Sequence, residues 1–380
     1  MVRNRKIILM ASFLFFYAQY IYIPFQTAYL SALGASAAFI GIVTGAYGGA
    51  QFLLRLPVGL LADKVGRHKG FLLAGLAAAA AACGIRMCFP GLTGFLAASL
   101  LSGVSSSTWL SFMVMHAECY GPAEQQKASG KIVFAYNAGI LGAFVTGTLL
   151  YETLGMRLLC GLGVAAGVIG AAMCTTLTEE RKTVSQTAVQ ELLTVCTNRC
   201  LIAFSLLALV QQGIQMATTM SFTAQVLRGL GASESLLGTS SILYMVSAVV
   251  SSYAASSGWA EKRSRRFWIS FIFAGLSAYC LLVPACRSIS VILGLQLIPG
   301  LASGLLFSIL TASAMTEVPA GKKSTAMGFY QAVYAVGMTV FPVLTGNVLE
   351  SAGLMAAYGL LGSFAMLCVM AAARMRNAKT

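Results

Sequence analysis

The side chains of this chain that could do chemistry are few, and their placement limits what that chemistry is. Its eleven acidic residues are Asp63, Glu118, Glu124, Glu152, Glu179, Glu180, Glu191, Glu234, Glu261, Glu317 and Glu350. Each falls at or near the end of a long apolar run, or between two such runs. His68 and His116 are far apart in sequence, and the ten cysteines include no C-x-x-C pair. Cys83/Cys88 and Cys196/Cys200 are the closest cysteine spacings, and small apolar packing residues are the reading they favour. A hydrolase or metalloenzyme in a membrane needs acids, bases or ligands clustered at depth, and no Asp/His/Glu cluster exists there. The chain is therefore expected not to be an enzyme and to carry no metal or cofactor. What remains are uncharged polar groups. Gln19, Tyr22 and Gln26 stand at i, i+3 and i+7, and Gln211, Gln215 and Thr218 at i, i+4 and i+7, so each trio shares one face of a helix. Amides facing lipid are expensive, so these faces must meet protein or water. They are either interhelical hydrogen bonds or the lining of a wet cavity.

The elements that hold these groups follow from composition. The chain has 380 residues, 58% hydrophobic and 9% charged, with mean hydropathy +0.81. A soluble protein carries about 25% charged residues. This is the composition of a polytopic membrane protein. About 20 apolar residues make a helix long enough to cross a bilayer, and hydropathy gives twelve such spans: 7–32, 36–62, 70–88, 91–115, 127–150, 155–177, 199–227, 234–258, 266–286, 288–315, 323–349 and 353–373. The apolar stretch after Met1–Lys6 is too long for a signal-peptide core and reads as the first span. An even number of spans puts both termini on one side. Twenty of the 25 Lys and Arg fall on that side, against Arg86, Arg157, Arg228 and Arg287 on the other, with Arg55 inside a span. That bias places both termini in the cytoplasm, across a plasma membrane. The net charge of +14 is accounted for in the same way and calls for no nucleic acid partner.

One polar linker, 178–198, divides the chain into bundles 1–177 and 199–380. The two repeat at an offset of about 198 residues. Leu33-Gly34-Ala35-Ser36 recurs as Leu230-Gly231-Ala232-Ser233. Gly130, Tyr136, Gly139, Glu152 and Gly155 recur at Gly328, Tyr334, Gly337, Glu350 and Gly353.

Between the second and third spans stands Gly59-Leu60-Leu61-Ala62-Asp63-Lys64-Val65-Gly66-Arg67-His68-Lys69. Gly59 can let helices approach, Gly66 can make the turn, and Arg67 and Lys69 hold the loop on the cytoplasmic side. This stretch resembles the loop 2–3 signature of the major facilitator superfamily, G-x-x-x-D-x-x-G-R-[KR], at Gly59, Asp63, Gly66 and Arg67. The resemblance implies an all-α membrane fold of twelve helices in two six-helix bundles, moving a small-molecule solute through the lipid bilayer by alternating access. It implies that spans 1, 4, 7 and 10 line the cavity, so that Trp109 and Gln296 join Gln19, Tyr22, Gln26, Gln211 and Gln215. Tyr47, Gln51, Tyr136, Asn137, Tyr244, Tyr330, Gln331 and Tyr334, from spans 2, 5, 8 and 11, are further lining candidates. It also implies a cytoplasmic gate of Gly59, Asp63, Gly66, Arg67, Lys69 and Glu118, with Glu118 pairing Arg67 and Asp63 facing the start of span 11 near Ser324.

Drug antiporters of the superfamily carry G-x8-G-x3-G-P-x2-G-G in span 5. Here Gly130, Gly139 and Gly147 match, but Ala143-Phe144 replaces Gly-Pro and Thr148 follows Gly147. Export of drug-like or metabolite compounds is the first expectation. Uptake or facilitated diffusion of a polar metabolite, or lipid flipping, are the alternatives. A cavity without carboxylates suits a neutral, amphipathic or weakly anionic solute. If proton coupling exists, Glu118 or His116 is the first group to examine. Arg55 either snorkels or donates to carbonyls, or it attracts an anionic solute. A monomer is expected.

Overall fold

The computed structural model describes residues 2–65, 67–120, 125–179, 194–256, 263–318 and 323–374. The described residues are helical throughout their apolar runs, with no strand among them. The helices are α1 (Val2–Tyr20, resuming at Ile23–Ala32), α2 (Ala37–Val65), α3 (Lys69–Cys88), and α4 (Leu92–Ser106, resuming at Trp109–Glu118). Gln125–Thr175 is one continuous run that turns at Gly155, giving α5 and α6. After residues 180–193 come α7 (Arg199–Ala217, continuing to Gly229), α8 (Glu234–Ser256), α9 (Arg265–Ala285) and α10 (Ile289–Leu295, continuing to Ala314). Lys323–Arg374 turns at Gly353 into α11 and α12. Among the described residues ten apolar stretches are long enough to span a membrane, and two of them, of 45 and 49 residues, carry these turns. The twelve spans read from hydropathy are therefore all present.

The internal repeat is visible in backbone geometry. Among the described residues those with positive φ are Gly34 (83°), Gly155 (67°), Gly231 (83°) and Gly353 (82°), two repeat-related pairs. Each sits in the left-handed region that a Cβ penalises, so glycine is what lets the chain reverse there. Ser36 and Ser233 cap α2 and α8 in the same way, accepting from Phe39 N (3.2 Å) and Leu236 N (3.4 Å). Close packing repeats as well. A Cβ on Gly139 would run into the Phe13 carbonyl of α1, and one on Gly337 into the Leu209 carbonyl of α7.

Four helices are interrupted near mid-span. In α1 the break is at Ile21–Tyr22, just before Pro24. In α4 it is at Ser107–Thr108. In α7 a π-helical turn occupies Thr218–Phe222, and α10 breaks at Gln296 and then has a π turn at Ala302–Leu306. Such turns release backbone groups from the regular ladder and gather at functional sites.

The first six spans and the last six meet on the side away from the termini. There, α2 lies directly on α11. Gly41 faces the Pro342 carbonyl, a Cβ on Gly48 would lie 2.8 Å from Met338, and Gly346 faces Ala37. Small residues let the two backbones touch. On the same side Ser221 lies 3.3 Å from both Thr27 and Thr44. Glu350 accepts from Ala38 N at 2.9 Å and Glu152 from Ser235 N at 3.1 Å.

Candidate functional site

The polar residues read from the sequence separate into three groups. The first is inside the first six spans. Gln19 donates to Ser102 O (3.1 Å), Ser105 Oγ (3.0 Å) and Ser106 Oγ (2.9 Å), and Tyr47 Oη pairs with Ser106 Oγ at 2.9 Å. Gln19, Tyr20, Tyr22, Gln26, Thr44, Tyr47 and Ser99, with Met216 and Met220 from α7, enclose a cavity of about 20 Å³. A water needs roughly 10–15 Å³ measured this way, so this space suits a single water rather than a solute. Gln26 Oε1 is buried here without a hydrogen-bond partner among the described residues.

The second group lies where α2 meets α11. The Arg55 guanidinium donates to Gln51 Oε1 and, at 3.4 Å, to Gln331 O, and it stands 5.0 Å from the Tyr334 ring centre. Three residues expected to line a cavity, Gln51, Gln331 and Tyr334, thus surround one cation. Tyr136 of α5 has Tyr47, Tyr244, Tyr334 and Arg55 as electrostatic neighbours, so phenols from both bundles converge on the same place. Trp109 completes an aromatic wall, edge-on to Phe16 at 4.8 Å and 5.9 Å from Tyr136. Asn137 is buried on the same helix as Tyr136. Tyr330 is buried, accepts from Thr311 at 3.1 Å and packs 5.5 Å from Tyr334.

The third group belongs to the last six spans. Gln211 donates to Gln215 Oε1 (3.1 Å), Gln215 to Tyr244 Oη (2.5 Å), and Tyr244 to Ser303 Oγ (3.0 Å) in the π turn of α10. Gln296 is buried at the break in α10 with Oε1 unpartnered among the described residues.

One expectation needs correction. Arg55 is not the single cation inside the protein. Arg86, counted above with the far-side loops, is 1% exposed in the last turn of α3. Its guanidinium donates to Ser102 Oγ (3.1 Å) and Ser99 Oγ (3.4 Å) and lies 3.9 Å over the Tyr22 ring. Tyr22 therefore serves Arg86 as well as the small cavity. The signal was present in sequence. Ser99, Ser102 and Ser106 at i, i+3 and i+7 mark a polar face on span 4 opposite an arginine near the end of span 3.

The cytoplasmic loop makes contacts that the sequence did not name. Arg67 is exposed, and it is the neighbouring His68 whose Nε2 comes to 3.9 Å from Glu118 Oε1. Lys69 points back into its own bundle, donating to Thr175 O (2.6 Å) and Leu177 O (2.7 Å). Glu179 accepts from the backbone N–H of His68 and Lys69, the latter at 2.8 Å, and so caps α3 where the helix dipole is positive. That role for Glu179 was not foreseen. A Cβ on Gly59 would meet only the tip of Leu110, at 3.3 Å, so this glycine does not bring backbones together here. Gly66 and the side chains of Asp63 and Ser324 lie outside the described residues.

Known proteins resemble this arrangement. The sequence matches the family profile described as Major Facilitator Superfamily over residues 8–255 and 214–380. It is 30% identical over 152 residues to the Inner membrane transport protein YajR of Escherichia coli (strain K12), a match covering 40% of this chain and 33% of that protein. The chain thus aligns with about a third of that relative's length. Among solved structures, the nucleoside transporter NupG superposes with a TM-score of 0.77 at 13% identity, covering 98% of this chain and 100% of the other. The human organic anion transporter MFSD10 (TETRAN) superposes with a TM-score of 0.71 at 16% identity, covering 97% and 99%. At these identities the likeness concerns the fold.

Proposed function

The chain belongs to the major facilitator superfamily and is a membrane transporter rather than an enzyme, and from that premise we propose that it exports small drug-like or metabolite compounds by alternating access. The two bundles, 1–177 and 199–380, rock about a central site bounded by the four interrupted helices and the phenols, amides and guanidinium gathered between α2, α5, α8 and α11. One observation supports this reading above the others. Among the described residues Arg55, Gln51, Gln331 and Tyr334 meet between the bundles and no Asp or Glu is buried. A site without carboxylates favours neutral, amphipathic or weakly anionic solutes over cations.

The direction of the basic bias argues for cytoplasmic termini in a plasma membrane. With that orientation, contact between the bundles on the far side corresponds to an inward-facing conformation. Gly59, Asp63, Gly66, Arg67, Lys69 and Glu118 form the cytoplasmic gate that closes in the opposite conformation. The protein acts as a monomer, since each bundle supplies half of the site.

The test is reconstitution. A thermal-shift screen of the purified chain against drugs and metabolites identifies stabilising compounds, because ligand binding favours the folded form. Those compounds are then followed in proteoliposomes. Concentrative or counterflow movement of a stabilising compound is the expected result. Stabilising compounds that never cross the liposome membrane, in either direction, refute the reading.

A further inference from the structure

Arg55 is 8% exposed and lies eight residues, about 12 Å, from the Asp63 end of α2. An arginine at that depth can escape burial by reaching toward the nearer membrane surface. This one does not. Its guanidinium turns one helical turn deeper, to Gln51 Oε1, and crosses to Gln331 O of the other bundle. Among the described residues no carboxylate meets it. Its Nε is buried without a hydrogen-bond partner among the described residues, and the guanidinium stands 5.0 Å from the centre of the Tyr334 ring. Removing a charge from water without an opposite charge is costly, and a membrane-embedded ionisable group is retained for function as a rule. Among the described residues the other buried arginine is Arg86, inside the first six spans among serines, and Arg55 is the one that contacts both bundles.

A guanidinium is a planar fork of donors matched to a carboxylate. Beside it the Tyr334 ring, 5.0 Å away, offers a flat apolar face, and Tyr136 lies within electrostatic reach. We propose that Arg55 binds the carboxylate of the transported solute, and that this solute is a small organic anion with an aromatic or apolar body. The bond to Gln331 O is what the carboxylate replaces. Because that bond crosses from α2 to α11, solute binding at Arg55 also loosens the contact between bundles that closes the site. The assignment rests on the transport reading above and narrows its solute class.

Three probes of one shape decide it: phenylacetate, phenylacetamide and phenethylamine, measured with the full-length protein by thermal shift and by counterflow in proteoliposomes. Phenylacetate is expected to bind at least about tenfold more tightly than phenylacetamide, the usual worth of a charge-assisted hydrogen bond. Phenethylamine is expected not to bind. Arg55→Gln brings the acid and amide within about twofold of each other, at unchanged thermal stability, while Arg55→Lys retains a reduced preference. If Arg55→Gln does not fold, the wild-type preference and its reduction in Arg55→Lys carry the decision. Equal responses to acid and amide, no response to any probe, or a preference that survives in both variants overturns the assignment. Flux of an uncharged compound from the wider screen, together with any of those results, leaves the transport reading standing and removes only the anion.

Discussion

The Glu350 carboxylate at the end of α11 accepts a 2.9 Å hydrogen bond from the backbone nitrogen of Ala38, at the start of α2 in the other bundle. Its repeat partner does the same in reverse. Glu152 at the end of α5 accepts from Ser235 N at the start of α8, at 3.1 Å. Each bundle thus caps a helix of the other with an acid, where the exposed N–H groups and the helix dipole favour negative charge. The arrangement ties the far side shut without burying either charge.

Removing those caps should loosen that side. In Glu350→Ala, amide hydrogen exchange is expected to rise in the first turn of α2. In Glu152→Ala it is expected to rise in the first turn of α8, and the double variant should show both. Unchanged exchange at residues 37–40 in Glu350→Ala would show that the packed glycines alone hold the side closed.

Glycine substitutions should divide by location. Gly41→Ala puts a methyl into the Pro342 carbonyl, a backbone atom that cannot step aside. Overpacking of this kind costs about 1–3 kcal/mol, and here the cost falls on the conformation with α2 against α11. Transport is expected to fall about tenfold or more. Gly59→Ala meets only the flexible tip of Leu110 in this conformation, so a loss well below that of Gly41→Ala is expected. Equal losses in the two variants, at matched expression, would contradict this packing argument.

Arg86 should matter for stability more than for transport selectivity. Arg86→Ala strands Ser99 and Ser102 and uncovers the Tyr22 ring, with a stability loss of about 2–4 kcal/mol expected. Arg86→Met fills the space without a charge and should lose less, or nothing. Melting temperatures of the detergent-purified variants check the order. A methionine variant less stable than the alanine variant would mean the cation itself is required.

At the loop between α2 and α3, Asp63→Asn is expected to reduce transport more than Lys64→Gln. The carboxylate is the group suited to the N-terminus of a neighbouring helix when the cytoplasmic side closes. Initial rates in proteoliposomes at equal protein density compare them, and equal activity would count against a latch there.

The sequence by itself determined the membrane fold, the twelve spans, the repeat and the loop signature. Those depend on hydropathy, on glycine where φ must be positive, and on offsets that survive in one dimension. Gly155 and Gly353 were matched by position, and the same backbone reversal at both explains the match. Gln51, Gln331 and Tyr334, which meet at Arg55, were named through the family resemblance, which assigns spans 2 and 11 to the cavity wall. The tertiary structure alone decided their partners. Gln19 and Tyr22 were spaced like cavity residues, yet the first bonds to serines and the second lies under Arg86. Arg86 looked like a loop residue because its helix ends two residues later, and only the approach of α4 buries it. Whether a polar side chain meets water, solute or another side chain depends on which helices lie beside it, and no local spacing encodes that.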